Sequence, residues 1–187
     1  MFLALIHHPV LNRHGDVSTT AVTNVDLHDL ARAGRTFGVE RFFVVTPITL
    51  QQELVGRVIH HWTLGSGAAR NCSRAQAFGR VEVVADLDTV MNRIDELKGQ
   101  RPILTVSGAG LHTGTTPYSE VRGLIETNDR PLLLLLGTGH GLAPAVMEQA
   151  DIRLPAIVGP EEAEGYNHLS VRSAAVIILD RLRGNTE

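Results

Sequence analysis

Three glycines spaced two residues apart form the part of this sequence best suited to binding a ligand. The stretch LLLLLGTGHGL places Gly137, Gly139 and Gly141 directly after a leucine run that predicts a buried strand. Glycines at the carboxyl end of a strand let the backbone approach a ligand closely and expose N–H groups to it. One glycine is enough for a tight turn, so three favour ligand binding over a simple strand-to-helix connection.

A dinucleotide-binding loop is the obvious alternative for these glycines. That fingerprint requires a glycine at position 142, where this chain has Leu142. It also normally opens the first strand–helix–strand unit of a domain, whereas this loop comes late in the chain. Both points count against a dinucleotide-dependent oxidoreductase.

A second group of chemically capable residues lies in NVDLHDLARAGRTFGVERFFVV, which predicts a helix over 24–37 followed by a strand. On a helical wheel His28, Arg32 and Arg35 share one face. The adjacent buried stripe consists of Leu27, Leu30, Ala31 and Gly34. An arginine on such a face is suited to contacting phosphate, and a solvated basic flank is the alternative.

Composition excludes several classes of protein. Hydrophobic residues make up 43% and charged residues 20% of the 187 positions, which is typical of a globular domain. The formal net charge of −3 gives no overall attraction for nucleic acid, so an RNA site must be a local basic patch. The single Cys72 excludes an intramolecular disulfide and a multi-cysteine zinc site.

Neither a metal site nor a membrane segment is predicted. In the pairs His7–His8 and His60–His61, adjacent side chains on a strand would point to opposite faces, and no third ligand is evident. No apolar run approaches the length of a membrane span, and the N-terminus does not resemble a signal peptide. We therefore expect a cytoplasmic protein.

Apolar runs alternate with helical patterns along the whole chain, which predicts one α/β domain over 1–187 with a mainly parallel sheet flanked by helices. The predicted strands are 2–7, 41–46, 81–84, 102–107, 131–136 and 151–155. The predicted helices are 24–37, 48–62, 86–98, 117–127, 141–149 and 168–183. Two polar loops, 12–20 and 64–73, are candidates for contacts or mobility.

The C-terminal segment GYNHLSVRSAAVIILDRL predicts a helix that one sheet alone does not cover. Asn167 is placed to cap a helix that starts at His168, and Ser170 to serve its first turn. From Ala174 to Leu179 the helix is apolar on every face, so it must be buried on more than one side. A second subunit is the simplest cover, which predicts a homodimer through this helix.

The stretches IHHPVLNRHGDVSTTAVTNVDLHDLARAGRTFGVERFFVVTP, LLLLLGTGHGL and YNHLSVRSAAVIILDRL together resemble the SPOUT-class, trefoil-knotted RNA methyltransferases. The resemblance covers nearly the whole chain. It is strongest to the small bacterial group associated with tRNA guanine-N1 methyltransferase. It implies S-adenosylmethionine (SAM) as cofactor, an RNA substrate such as tRNA or rRNA, and a C-terminal knot.

The same resemblance implies a SAM pocket with several walls, in which backbone groups read the adenine edge. The cofactor-binding residues that it implies are Ser107, Gly108, Gly137, Thr138, Gly139, Gly141, Leu142, Leu154, Ile157, Asn167, His168, Leu169 and Ser170. Leu142, Ile157 and Leu169 are expected to pack on the adenine faces. The stretch 105–110 is expected to line the methionine or ribose side.

For catalysis the resemblance places Arg32 on the arginine of the ribose 2′-O-methylating branch, with Phe37–Gly38–Val39 on the turn that follows. That branch usually has asparagine six residues before the arginine, where this chain has Asp26. The catalytic candidates are therefore Arg32, Asp26 and His28, and spacing alone does not identify the general base. A non-catalytic, knotted nucleotide- or RNA-binding accessory module is the alternative function.

Overall fold

A six-stranded parallel sheet forms the centre of the protein in the computed structural model, which describes residues 1–185. The strands are β1 (Phe2–Ile6), β2 (Val10–Leu11), β3 (Val17–Ser18), β4 (Phe42–Val45), β5 (Val81–Val84), β6 (Ile103–Val106), β7 (Leu132–Gly137) and β8 (Ile152–Arg153). The sheet has the order β5-β4-β1-β7-β6-β8, and β2 pairs with β3 as a separate antiparallel hairpin. The predicted fold class is confirmed. The last two positions of the predicted 1–187 domain lie outside the described residues.

Helices cover both faces of this sheet. They are α1 (Asn24–Thr36), α2 (Thr49–Thr63), α3 (Ser66–Arg70), α4 (Cys72–Phe78), α5 (Leu87–Lys98), α6 (Tyr118–Thr127), α7 (Pro144–Met147) and α8 (Val171–Arg183). The predicted polar loop 64–73 is wrong as a loop, because it contains α3 and the start of α4. The helix predicted over 141–149 is shorter, since Pro144 opens it and the glycine loop occupies its first positions.

Alternation along the buried strands explains why both faces are apolar. Leu3 and Leu5 of β1 face one core cluster, which also contains apolar residues of α1 and α8. Phe2, Ala4 and Ile6 face the other cluster, which contains residues of α5 and α7. Successive strand side chains point to opposite faces, so a strand covered on both sides is apolar throughout.

The strand order reverses around β1, and this positions the candidate site. From β1 the chain moves outwards through β4 to β5, then crosses to β6 and returns to β7 beside β1. In open parallel sheets ligands bind at such a switch point, outside the carboxyl ends of the strands. The C-terminal knot stays a prediction. No helix within residues 1–185 has both the length and the apolar character needed to cross a membrane.

The C-terminal helix differs from its sequence prediction in two respects. It begins at Val171 with Ser170 as its cap, whose hydroxyl accepts from the Ser173 N–H at 3.3 Å, so Asn167 and His168 lie in the preceding loop. It is also covered within one chain, because it packs between α1 and α6 and against β7. The residues buried by this packing are Ala175, Ile178, Leu179 and Leu182. A second subunit is therefore not needed to cover most of its apolar surface, and Val176 is the apolar residue that stays 41% exposed.

Candidate active site

A cleft of about 650 Å³ lies at the carboxyl ends of β6 and β7. Five segments far apart in the chain contribute to its walls. They are the stretch 20–26 that leads into α1, the loop after β6, the glycine loop after β7, the stretch 155–157 after β8, and the segment before α8. The predicted cofactor residues that line it are Ser107, Gly108, Gly137, Thr138, Gly139, Gly141, Ile157, Asn167, His168, Leu169 and Ser170. The structure thus brings most of the predicted set together in one cavity.

Two predicted cofactor residues do not line this cleft. Leu142 is only 6% exposed because it packs in the core and forms a bridge to Val10. Leu154 is fully buried in the other core cluster. Both leucines therefore pack in the core instead of at the cleft surface. Ile157 and Leu169, the other two residues expected on the adenine faces, do line the cleft, and Leu169 is 45% exposed.

The glycine loop owes its composition largely to contacts within the chain. A Cβ on Gly137 would lie 2.7 Å from the backbone nitrogen of Leu142. Gly139 has a positive φ of 60°, and a Cβ there would lie 2.8 Å from the carbonyl oxygen of Leu11. These two glycines let the loop pack on its own backbone. Packing within the chain is therefore a sufficient reason for two of the three glycines, and their role in ligand approach stays a prediction.

Gly141 and Gly108 differ, because the space beside them is open. A Cβ on Gly141 would meet no atom within 4 Å, and one on Gly108 would meet only the Leu111 side chain at 3.7 Å. Both line the cleft. These two positions provide unobstructed backbone after β6 and after β7, which suits a flat heteroaromatic ring held by main-chain groups.

A hydrogen-bonded chain that sequence reasoning missed supports the glycine loop from below. The Thr138 hydroxyl donates to the Ile6 carbonyl at 2.9 Å, so its contact with Thr20 must be donated by the Thr20 hydroxyl. Thr20 must then accept from His7 Nδ1, which lies 3.0 Å away. The chain of donors fixes His7 as the Nδ1–H tautomer.

His7 is buried at the end of β1, and its Nε2 has no hydrogen-bond partner among the described residues. Burial lowers the pKa of His7 to about 4, although the nearby Asp26 carboxylate opposes that shift. His7 is therefore neutral at physiological pH. It joins the end of β1 to the loop 12–20 and, through Thr20, to the glycine loop.

Asp26 lies in the cleft wall, as the catalytic prediction requires. Its Oδ1 accepts from Arg172 Nη1 at 3.0 Å and its Oδ2 from the Thr23 hydroxyl at 2.6 Å. Because both carboxylate oxygens are engaged, this geometry suits holding Arg172 at the cleft better than accepting a proton. Arg172, another lining residue, was not singled out from the sequence, because its partner lies far away in the chain.

Arg32 and His28 lie outside this cleft lining. The Arg32 side chain is 61% exposed, and its Nη1 lies 3.9 Å from Asp29 Oδ1. The other carboxylate oxygen of Asp29, Oδ2, lies 3.5 Å from Arg172 Nε. His28 packs instead against Trp62 and Phe78, with ring centroids 5.4 and 4.8 Å away. Burial, reinforced by the Arg74 charge, lowers the pKa of His28. Residues two apart on a helix do not share a face, so Asp26 and His28 cannot both reach the cleft of one chain.

No group of three or more His, Cys, Asp or Glu side chains that could hold a metal ion occurs within residues 1–185.

A family model described as SAM-dependent RNA methyltransferase matches residues 1–184. The chain therefore belongs to this family of RNA methyltransferases, and SAM is its cofactor. The open backbone at Gly108 and Gly141 and the small side chains between them fit this cofactor, whose adenine and ribose need close backbone approach.

Among characterised sequences, the chain is 42% identical over 186 residues to the tRNA (guanine-N(1)-)-methyltransferase of Nitratidesulfovibrio vulgaris. That alignment covers 99% of this chain and 42% of the relative. The chain thus spans about two fifths of the relative's length, and the activity in its name belongs to the longer protein.

Two solved structures support the fold at low sequence identity. A probable methyltransferase from Bordetella pertussis superposes with a TM-score of 0.61 at 18% identity, over 97% of this chain and 91% of that one. The SpoU methyltransferase AviRb from Streptomyces viridochromogenes, solved in complex with AdoMet, superposes with a TM-score of 0.57 at 14% identity, over 97% and 56%. These structures confirm the predicted fold class, and the family model confirms the predicted class of SAM-dependent RNA methyltransferase.

Proposed function

We propose that this chain binds SAM in the cleft between β6, β7 and the segment before α8, and transfers the methyl group to tRNA. The observation that carries the proposal is the convergence of segments far apart in the chain on one cavity that has open backbone positions after both β6 and β7. The name of the longer relative from Nitratidesulfovibrio vulgaris makes tRNA the first substrate to test, with rRNA the second. Action on tRNA also implies a location in the cytoplasm.

When bound, SAM supplies a methyl group on a positively charged sulfonium, ready for in-line displacement. The protein's task is then to orient the nucleophile and to exclude water. Arg172, held by Asp26 at the cleft, is positioned to bind an RNA phosphate or the nucleotide that enters. The hydrogen bonds of Thr138 to Thr20 and to the Ile6 carbonyl fix the position of the glycine loop relative to the end of β1.

Arg32 lies on an exposed face outside its own cleft lining. Within one chain it is therefore placed to contact RNA beside the target nucleotide, and it would contact the reacting nucleotide itself only in the cleft of a second subunit. A homodimer that places Arg32 of one protomer beside the cleft of the other makes a composite site. The outward surface of α8 around Val176 is the contact that we propose for such a dimer. This differs from the sequence argument, in which the whole helix needed a partner.

A non-catalytic accessory module is the second candidate. One observation favours it, namely that both oxygens of Asp26 are engaged while Arg32 and His28 lie outside the cleft lining, so none of the three predicted catalytic residues stands free in the cleft of one chain. Such a module would bind SAM and RNA but would transfer nothing.

Calorimetry followed by a transfer assay separates these functions. We expect SAM and S-adenosylhomocysteine to bind with micromolar affinity and NAD not to bind, because the dinucleotide fingerprint is incomplete. Tritiated methyl transfer to total tRNA and total rRNA from a strain lacking the gene then tests catalysis. Label in the tRNA pool supports the proposal. SAM binding with no label in either pool favours the accessory module, and absence of SAM binding refutes both.

A further inference from the structure

An exposed surface on the other side of α1 combines arginines with an aromatic ring and has no role in the cleft. We call it the arginine–tryptophan surface and define it by Arg57, His61, Trp62, Arg70 and Arg74. The Arg74 guanidinium lies 4.7 Å from the Trp62 ring centroid. The His61 ring meets Trp62 edge-on, with centroids 4.9 Å apart. Arg57, His61 and Arg70 are exposed.

A shallow depression of about 480 Å³ opens beside this cluster. Its lining consists of Glu53, Gly56, Arg57, His60, His61 and Gly65. Beside it, α3 packs closely on α2, because a Cβ on Gly67 would lie 2.7 Å from the Trp62 ring.

The arginine–tryptophan surface is positively charged, whereas the whole protein has a negative net charge. The segment from α2 to α4 contains three arginines and only one acidic residue, Glu53, whereas the whole chain has a net charge of −3. Within residues 1–185 none of Arg57, Arg70 and Arg74 pairs with a carboxylate, unlike Arg41, Arg93 and Arg172 elsewhere. Unpaired arginines attract a polyanion without first breaking an ion pair.

The surface is continuous with the cleft across α1. His28 on α1 contacts Trp62 and lies near Arg74, Arg32 and His61, whose charges act on it. From Arg32 the polar contacts continue through Asp29 to Arg172 at the cleft. A strand of RNA whose target nucleotide enters the cleft would therefore pass over Arg32 towards this surface.

We propose that the arginine–tryptophan surface binds the RNA segment beside the target nucleotide, with Arg57 and Arg70 on phosphates and the planar groups of His61, Trp62 and Arg74 against an unpaired base. Proteins that bind single-stranded RNA combine a basic track with aromatic or guanidinium planes on which bases stack, and this surface provides both. The proposal rests on the proposed action on RNA and adds to it where the substrate lies.

Trp62 allows a direct test, because it is the only tryptophan in the chain. Titration with total tRNA and with a short oligouridylate should change its fluorescence, whereas SAM alone should leave the emission unchanged. The double variant Arg57→Ala/Arg70→Ala should bind both RNAs about tenfold more weakly or worse, and the slope of log affinity against log salt should fall by about two. Its SAM affinity in calorimetry should match that of the parent.

The matched control is Arg101→Ala, which removes one exposed arginine just before β6, at the opposite end of the strands from the cleft. RNA binding should be unaffected in this variant. If the double variant binds tRNA as tightly as the parent, or if RNA leaves Trp62 emission unchanged, the surface proposal is refuted.

The methyl-transfer assay keeps this failure distinct from failure of the proposed function. If the parent protein methylates tRNA but its Trp62 emission does not respond to RNA, the proposed function stands and the surface proposal is refuted. If the parent shows the Trp62 response and the arginine dependence but transfers no methyl group, the surface proposal stands and the proposed catalytic function is refuted.

Discussion

Replacing His7 by asparagine should remove much of the protein's sensitivity to mild acid. His7 is 1% exposed, donates from Nδ1 to Thr20 at 3.0 Å, and has a buried Nε2 without a partner among the described residues. An asparagine amide can occupy the place of Nδ1–H and keep the bond to Thr20, but it does not titrate. The variant therefore separates the hydrogen bond of His7 from its protonation.

The direction and size of the effect follow from the pKa of His7. Burial lowers that pKa from 6.5 in the unfolded chain to about 4 in the folded protein. The unfolded chain therefore takes up a proton as the pH falls below about 6.5, while the folded protein stays neutral. Stability is fully present above that pH and decreases towards pH 4, by about 1.4 kcal/mol per pH unit. Between pH 7 and pH 5 the loss from this one group is about 2 kcal/mol.

Urea unfolding followed by Trp62 fluorescence at both pH values measures this difference. The parent should lose about 2 kcal/mol more between pH 7 and pH 5 than His7→Asn does. His112→Asn is the matched control, because His112 lies exposed in a loop, and its decrease should equal that of the parent. If His7→Asn loses stability as steeply as the parent, the neutral buried state of His7 is wrong.

Three further predictions concern the cofactor, the RNA and assembly. Gly108→Val should lower SAM affinity about tenfold in calorimetry without changing the melting temperature. The control is Gly110→Val, which should change neither quantity, because Gly110 does not line the cleft and a Cβ there meets no atom within 4 Å. Equal SAM binding by the two variants would exclude the β6 wall from the site. Arg32→Ala should leave SAM affinity intact but reduce tritiated methyl transfer on the order of 10²-fold, and unchanged transfer would make Arg32 a solvated flank. Val176→Asp should convert the proposed dimer to folded monomers in sedimentation, whereas Ile178→Asp should unfold the chain because Ile178 is only 2% exposed; a parent that sediments as a monomer at micromolar concentration contradicts the dimer.

Local patterns predicted the elements of this fold well where burial is the dominant constraint. Runs such as LLLLL predicted β7 because a strand covered on both faces has no polar positions. The same reasoning missed α3 and α4, since SGAAR and CSRAQAF are small and polar and have no strong apolar period. The Asn71 side chain, which caps α4 by accepting from the Arg74 N–H at 2.9 Å, was the available signal.

The candidate site was predictable as segments but not as contacts. The glycine loop and the segment before α8 were located from motifs, and the structure brings them together. The pairs that position them are separated by 118 residues for Thr20 and Thr138 and by 146 for Asp26 and Arg172. No helical or strand period connects such positions, so their pairing depends on the order in which β1, β7 and α8 pack.

Helix α1 separates two tasks, and this separation bears on how the enzyme works. Its Asp26 side holds Arg172 at the SAM cleft, while its His28 side packs on the aromatic cluster beneath the arginine–tryptophan surface. The Arg32 side chain pairs with Asp29, which also pairs with Arg172. The Arg32–Asp29 pair is 3.9 Å long and its Arg32 side chain is 61% exposed, so it contributes little and an RNA phosphate can replace it at small cost. Arg172 would keep its contacts with Asp26 and Asp29 when Arg32 binds RNA, so the cleft does not depend on the Arg32 pair.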